Sequence, residues 1–432
     1  TTKMLLVLTF RPEFAPPWGQ HAHFSQLTLS RLGKRQVPQM IAQATGGKAL
    51  PAEVVQQIVA KTDGVPLFVE ELTKMVLESG LLTETNGHYE LSGPLPPLAI
   101  PSTLQDSLMA RLDRLASVRE LAQLGATIGR EFSYELLRAV SSLGNELLHT
   151  GLQQLVATEL VYQRGTPPQS TYLFKHALIQ DTAYQSLLKS RRQQLHQQIA
   201  QVLEEQFPDT KDTQPELLAH HYTEAGLIAE AILYWQKAGA RAVQRSANEE
   251  AIKHLTKGLD LLQVLPETLE RNEQELSLQI TLGSALMAVK GFASPETERT
   301  YNRARELCQQ MGETLQLFSV LHGLCGAYTT QAKLLTAREL GEQMLSLASN
   351  IQEPPPFTAA HFALGQTLFW LGEFALAREH VEQGIALYNP QQDRSYAFIH
   401  GQDPGVTCLL LAATALWNLG YPDQARKRIR EA

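Results

Sequence analysis

Across 432 residues the chain carries 37 Lys and Arg against 44 Asp and Glu, a formal charge of −7, with 44% hydrophobic residues. The length leaves room for about two to four domains, each able to bury its own core, and the acidic balance argues against a nucleic-acid or anionic-membrane surface over the whole chain. No apolar stretch reaches the roughly 18 residues of a membrane span and no signal peptide is legible; with Cys308, Cys325 and Cys408 set in apolar helical patterns rather than at metal spacing, the reading is a cytoplasmic chain that enters no membrane.

The chain opens on Thr1-Thr2-Lys3 rather than methionine and reads as a segment of a longer protein. Met4 to Phe10 is a continuously apolar run of strand length that ends in Arg11 and Pro12, the pattern of a central parallel strand covered on both faces. Phe24 to Leu29 is a second candidate strand. An arginine at the carboxyl end of a parallel strand lies where α/β sheets bind ligands, and its planar fork suits a terminal phosphate; the alternative is an arginine that solubilises a strand end. From Val37 to Gly80 the period turns helical. Pro51-Ala52-Glu53 opens a helix, Asp63-Gly64-Val65-Pro66 breaks it, and Leu67 to Leu72 starts another, followed by a Gly/Pro-rich loop from Gly87 to Pro101. Pro66 offers a rigid apolar surface at a helix start, or serves only to initiate the helix.

Ser102 caps a helix ending near Leu115, and further helices run to Leu160. Two β-like runs, Leu160 to Gln163 and Thr171 to Phe174, flank the turn-forming Gly165-Thr166-Pro167-Pro168, and helices followed by a hairpin suggest a winged helix. The helix before the hairpin, Asn145 to Leu160, has no Lys or Arg and contains Glu146 and Glu159, which argues against DNA reading because phosphate contacts dominate nucleic-acid affinity. His176 stands where the hairpin runs into a helix, placed either to donate to a diphosphate or as an ordinary histidine without a ligand.

Beyond Pro215 the chain is helical and a repeat emerges. A small residue at a helix end is followed five positions later by alanine: Gly226 and Ala231, Ala332 and Ala337, Gly372 and Ala377, Gly420 and Ala425. The first accepts a left-handed backbone and the second lets the partner helix approach closely. Spacings of 40 residues from Ala332 to Gly372 and 48 from Gly372 to Gly420 exceed the roughly 34 of an ideal tetratricopeptide (TPR) repeat, so the array is TPR-like, with a surface for a protein or peptide ligand.

Three segments in order resemble the STAND class of P-loop ATPases, the signal-transduction ATPases with numerous domains. The resemblance is to the bacterial regulators in which such an ATPase follows a nucleotide cyclase or protein kinase domain and precedes TPR-like repeats. Leu6 to Glu13 looks like the sensor-1 strand, Asp63 to Leu72 like the GxP motif of the helical lid, and Phe174 to Tyr184 like the stretch in which the family has a nucleotide-facing histidine. His400 to Val406 and Leu419 to Ala425 are also similar to this family. The resemblance implies a mainly α fold: residues 1–33 the last strands of an incomplete α/β P-loop NTPase core, 34–92 the helical lid, 93–190 a winged helix, and 191–432 a TPR-like α-solenoid. It implies a nucleotide site that includes Arg11, Gly64, Pro66 and His176. Pro66 packs on adenine, Arg11 senses the terminal phosphate and His176 meets the diphosphate of ATP or ADP.

Gly47-Lys48 is not a P-loop, since Ala42 and Ala49 stand where glycine and Ser or Thr are needed, and no acidic Walker B strand occurs. The segment alone is therefore not expected to hold magnesium and triphosphate; Mg belongs only to the full-length protein. HExxH, GxSxG and CxxC are absent, and His21-Ala22-His23 and His220-His221 lack companion ligands. The expectation is a nucleotide-dependent switch segment that controls an upstream cyclase or kinase domain in the same polypeptide. The rival is a non-enzymatic TPR-like scaffold with a degenerate ATPase remnant.

Overall fold

Val37 and Ile41, Val54 and Ile58, and Phe68, Val69, Leu72, Met75 and Val76 recur every three or four residues, so each segment presents one apolar stripe and must bury it. They do so against one another: α1 (Gln36–Ala44), α2 (Ala52–Thr62) and α3 (Pro66–Glu78) close a shared core. A computed structural model describes residues 7–10, 14, 25, 27–85, 87–92, 103–114, 116–312, 315–351, 354–389 and 403–432, which fall into two units, Thr1–Arg119 and Glu120–Ala432. In the first, β1 (Leu82–Thr85) and β2 (His88–Leu91) form an antiparallel hairpin within the stretch expected to include a plain loop. Helix α4 (Leu104–Arg114) then packs on α3. Its cap is Thr103, whose hydroxyl accepts from the Asp106 N–H at 3.0 Å; Ser102, expected in that role, lies outside the described residues.

The expected N-terminal strands are not seen in what is described of them. Residues 7–10 and 27–29 carry no strand, and Val7, Leu8, Leu27 and Leu29 are exposed. A strand is defined by its ladder, and no described strand pairs with these residues.

Helix α5 (Ala116–Ile128) leads to β3 (Glu131–Ser133), α6 (Tyr134–Val140), α7 (Asn145–Ala157), β4 (Val161–Arg164), β5 (Thr171–Phe174) and α8 (Ala177–Gln185). The antiparallel sheet has the order β3-β5-β4. Phe132 packs its ring 5.7 Å from both Tyr172 and Phe174. The expected hairpin is present, with Val161 opposite Phe174 and Arg164 opposite Thr171.

The rest is a stack of helices: α9 (Lys189–Gln206), α10 (Pro208–Thr213), α11 (Pro215–Ala225), α12 (Ile228–Gln244), α13 (Asn248–Leu262), α14 (Leu269–Lys290), α15 (Pro295–Met311), α16 (Leu315–Thr330), α17 (Leu334–Ile351), α18 (Pro354–Trp370), α19 (Phe374–Leu387), α20 (Pro404–Asn418) and α21 (Pro422–Glu431). From α11 onward each packs on the next, and α12, α14, α16, α18 and α20 also pack on one another, forming one layer with α13, α15, α17, α19 and α21 outside it. The chain is mainly α with a TPR-like repeat region. All four turn signatures are in place: Gly226, Ala332, Gly372 and Gly420 have φ of 79°, 59°, 82° and 85°, and each alanine five residues on is buried. A fifth, Ser246 (φ 58°) with Ala251, went unread because serine does not advertise a left-handed backbone. The Gly226 turn differs in kind, since it leads into inner-layer α12 whereas the other four lead into outer helices.

Ala332 is the alanine among these turns. An L-residue pays about 1–2 kcal/mol for a left-handed backbone, against which glycine brings roughly 0.5–1 kcal/mol of extra unfolded-chain entropy. Ala332→Gly is therefore expected to stabilise the array by about 0.5–1 kcal/mol, read as a raised urea midpoint with unchanged slope.

Candidate functional site

The Asp63–Pro66 loop is shaped by its own residues. Asp63 ends α2 at φ 46° and Gly64 follows at φ 69°, while Val65 stays extended, as a residue before proline must. Gly64 accepts a hydrogen bond from the Leu32 N–H at 2.7 Å, and a Cβ at this position would lie 2.2 Å from the Leu32 carbonyl oxygen, so no other residue fits. Pro66 takes the first position of α3, where its missing N–H is not needed, and its ring is exposed while Phe68, Val69 and Leu72 face the core. Arg31 pairs with Asp63 on the surface.

One turn farther along α3 the helices are tied together by a buried cation. Arg111 of α4, 1% exposed, bonds the fully buried Glu71 and reaches Glu78 through Nε and Nη2 at 3.0 Å each; Arg114 Nη1 donates to the Met75 carbonyl at 2.9 Å. Burial alone would lower the Arg111 pKa, but Glu71 and Glu78 outweigh it and hold it above the ordinary guanidinium value. Lys48, rejected above as a P-loop lysine, instead binds Glu84 of β1 at 2.7 Å.

In the second unit His176 is the N-cap residue of α8, half-buried with an extended backbone (φ −134°), and its carbonyl accepts from the Ile179 N–H at 3.1 Å. Lys175 and Phe174 just before it are pinned by backbone bonds to Leu160 and Arg130. Thus Gly64 and Pro66 share one loop of the first unit, His176 stands at a strand-to-helix junction of the second, and Arg11 lies outside the described residues.

Sequence reasoning missed a buried polar chain. Tyr184 Oη on α8 is 2.9 Å from His196 Nε2 on α9, and His196 Nδ1 is 2.8 Å from His221 Nδ1 on α11. The two rings are 1% and 0% exposed. Burial first, then the charges of His220 and Arg192, brings the His196 pKa down to about 4; burial, His196 and His220 push His221 well below its ordinary value. The adjacent Glu204 accepts from Tyr222 and, at 2.7 Å, from Tyr234. The His220-His221 pair was the only available signal, and it says nothing of a partner 25 residues earlier.

No family model matches the chain. It is 27% identical over 423 residues to an uncharacterized protein of Rhizobium meliloti, an alignment that covers 96% of this chain and 40% of that protein's length. Among solved structures it is similar to a signal transduction ATPase with numerous domains and a tetratricopeptide repeat sensor from Pyrococcus horikoshii, at 12% identity and TM-score 0.36, covering 93% of this chain and 59% of the other. It is also similar to NprR in complex with its cognate peptide NprX, at 12% identity and TM-score 0.38 over 69% of this chain and 75% of that one. A Rap protein complexed with Competence and Sporulation Factor matches at 11% and 0.38, covering 75% of this chain and 74% of the other. Among the described residues no helix is long and apolar enough to cross a membrane.

Proposed function

We propose that this chain is the regulatory segment of a STAND-type nucleotide switch, in which a helical lid and a winged helix couple nucleotide state to a TPR-like array that binds a protein or peptide. The observation that carries the reading is the succession, in one chain, of the Gly64–Pro66 loop within a small helical subdomain, a helix-strand-helix-helix-hairpin unit with His176 at its exit, and tandem helical hairpins. The order of α5, β3, α6, α7, β4 and β5, with sheet order β3-β5-β4, is what a winged helix requires.

The residues fit a nucleotide in chemistry. The exposed Pro66 ring is an apolar plate suited to an adenine, and a half-buried histidine at a helix N-terminus suits an anion, because the free N–H groups and the helix dipole favour negative charge. Bound ATP or ADP would supply the phosphates that distinguish the two states. Arg11, Pro66 and His176 would sense them, and magnesium would be held by P-loop residues of the full-length protein. The output, a cyclase or kinase domain upstream, and the array's partner belong to the same proposal. The repeat layer formed by α12, α14, α16, α18 and α20 is the extended surface such arrays offer a ligand.

In the full-length protein, His176→Ala is expected to weaken ADP relative to ATP by about tenfold or more, the worth of one charge-assisted hydrogen bond. Competition binding with both nucleotides measures it. Unchanged preference in both His176→Ala and Arg11→Ala would remove these residues from the site. The second reading, a scaffold with a degenerate ATPase remnant, rests on the lack of a GxxxxGKS/T loop in these 432 residues. It predicts that the full-length protein binds the array's partner with equal affinity in ATP and ADP.

A further inference from the structure

Two Nδ1 atoms 2.8 Å apart, as in His196 and His221, can share one hydrogen only. Two arrangements satisfy that. In the first, His221 Nδ1–H donates to His196, His196 Nε2–H donates to Tyr184 Oη, and the Tyr184 hydroxyl points on to Glu224 Oε2 at 3.4 Å, at the protein surface. This leaves a bare lone pair at His221 Nε2, which is enclosed and has no partner among the described residues. In the reverse arrangement Tyr184 donates inward and His221 Nε2 becomes a buried N–H with no acceptor. An unmet donor costs more than an unfilled lone pair, so the chain runs outward to Glu224. With the chain running outward, the closed arrangement accommodates two neutral rings and no third proton: a proton added to His221 sits on the enclosed Nε2, and one added to His196 forces the His221 hydrogen onto that same atom.

The chain joins three helices, since Tyr184 closes the last turn of α8 while His196 and His221 belong to α9 and α11, where the stack begins. His176 heads the same α8, eight residues away or roughly 12 Å along the axis. We propose that Tyr184, His196 and His221 form a proton-sensitive latch that clamps the C-terminal end of α8 to the first helices of the repeat region and releases it on acidification. The latch goes beyond the nucleotide reading and stands without it.

The charges that act directly on the two buried rings also disfavour protonation, while Glu224 and Lys257 oppose each other on His220. On α9, Arg192 lies 5.1 Å over the Tyr184 ring and acts on His196; on α11, His220 acts on both buried rings, with Glu224 and, from α13, Lys257 acting on His220 in turn. On the far side Glu204 is tied up by Tyr222, Tyr234 and Lys211, and α6 contributes the Val140 carbonyl to Gln198. The rings are neutral when closed and ordinary imidazoles when open. The latch is therefore fully stable above about pH 6.5 and weakens as pH falls through the window down to about 4. For His196 alone, the opening equilibrium rises about 30-fold between pH 8 and pH 5.

The test is amide hydrogen exchange by mass spectrometry on the whole chain without nucleotide, at pH 7.5 and 5.0, corrected for intrinsic rates. Wild type is expected to lose roughly 30-fold protection in α8 and the adjoining ends of α9 and α11 at pH 5.0 while α14 and α15, which carry no histidine, are unchanged. A His196→Phe/His221→Leu double variant should show no such local loss. Local protection that ignores pH, loss spread equally over α14 and α15, or an equal loss in the double variant overturns the latch. Should the double variant not fold, imidazole nitrogen NMR on wild type decides: neutral rings for His196 and His221 at pH 5.5 support the latch, and ordinary midpoints near 6.5 sink it.

Discussion

Arg111→Ala is expected to destabilise the first unit by about 3–5 kcal/mol, the cost of leaving a buried charge without its partner. Glu71 is fully buried and Arg111 is its cation; the same guanidinium holds Glu78, so one truncation orphans the first carboxylate and frees the second. Exposed pairs such as Lys48 and Glu84 offer a control, since pairs of that kind are worth about 0–1 kcal/mol. A Glu71→Leu/Arg111→Met variant should recover most of the loss, because replacing a whole buried pair with apolar groups of similar size is commonly neutral. Urea unfolding followed through exchange of the α3 and α4 amides measures both. A single variant within about 1 kcal/mol of wild type would show that Glu71 does not depend on this cation.

The second large effect is expected at Tyr301. This side chain, 2% exposed on α15, wedges between α14 and α16 at two glycines: a Cβ on Gly283 would lie 2.5 Å from the ring and one on Gly323 2.6 Å from it. The ring is gripped from both sides and has nowhere to retreat. Gly323→Ala should therefore cost about 1–3 kcal/mol by overpacking, and Tyr301→Ala about 3–5 kcal/mol by leaving a cavity. The informative result is their combination. With the ring gone, the added methyl at 323 helps fill the void, so the double variant should be more stable than Tyr301→Ala alone. Additive losses in urea unfolding would mean that the two residues do not meet.

Much of the architecture was legible because it is written in local chemistry. Gly226, Gly372 and Gly420 announce left-handed turns, and alanine five residues later announces a close helix approach. Ser246 does the same job without the announcement. The β1–β2 hairpin had a signal that was passed over: Asn86-Gly87 is a strong two-residue turn dipeptide, with Gly87 at φ 85°, but its flanks, LTET and HYEL, are too polar to read as strands. The reverse happened at residues 7–10, whose apolar run looks like a strand although a strand exists only through its partners. At the candidate site, the Gly64–Pro66 loop was visible because backbone geometry dictates its residues. The Tyr184, His196 and His221 chain was not, because three polar residues on three amphipathic helices become neighbours only once those helices pack.

The layered stack has a further consequence. Its helices lean on their neighbours in sequence, and the same-layer contacts reach one hairpin farther. Such a chain has no keystone: strain entering at one hairpin fades over the next few, and an end can fray while the middle holds. In the first unit, by contrast, one guanidinium holds two carboxylates of α3, so its loss loosens both contacts together. One polypeptide thus joins a part whose contacts are spread along a stack to a part in which one side chain serves two.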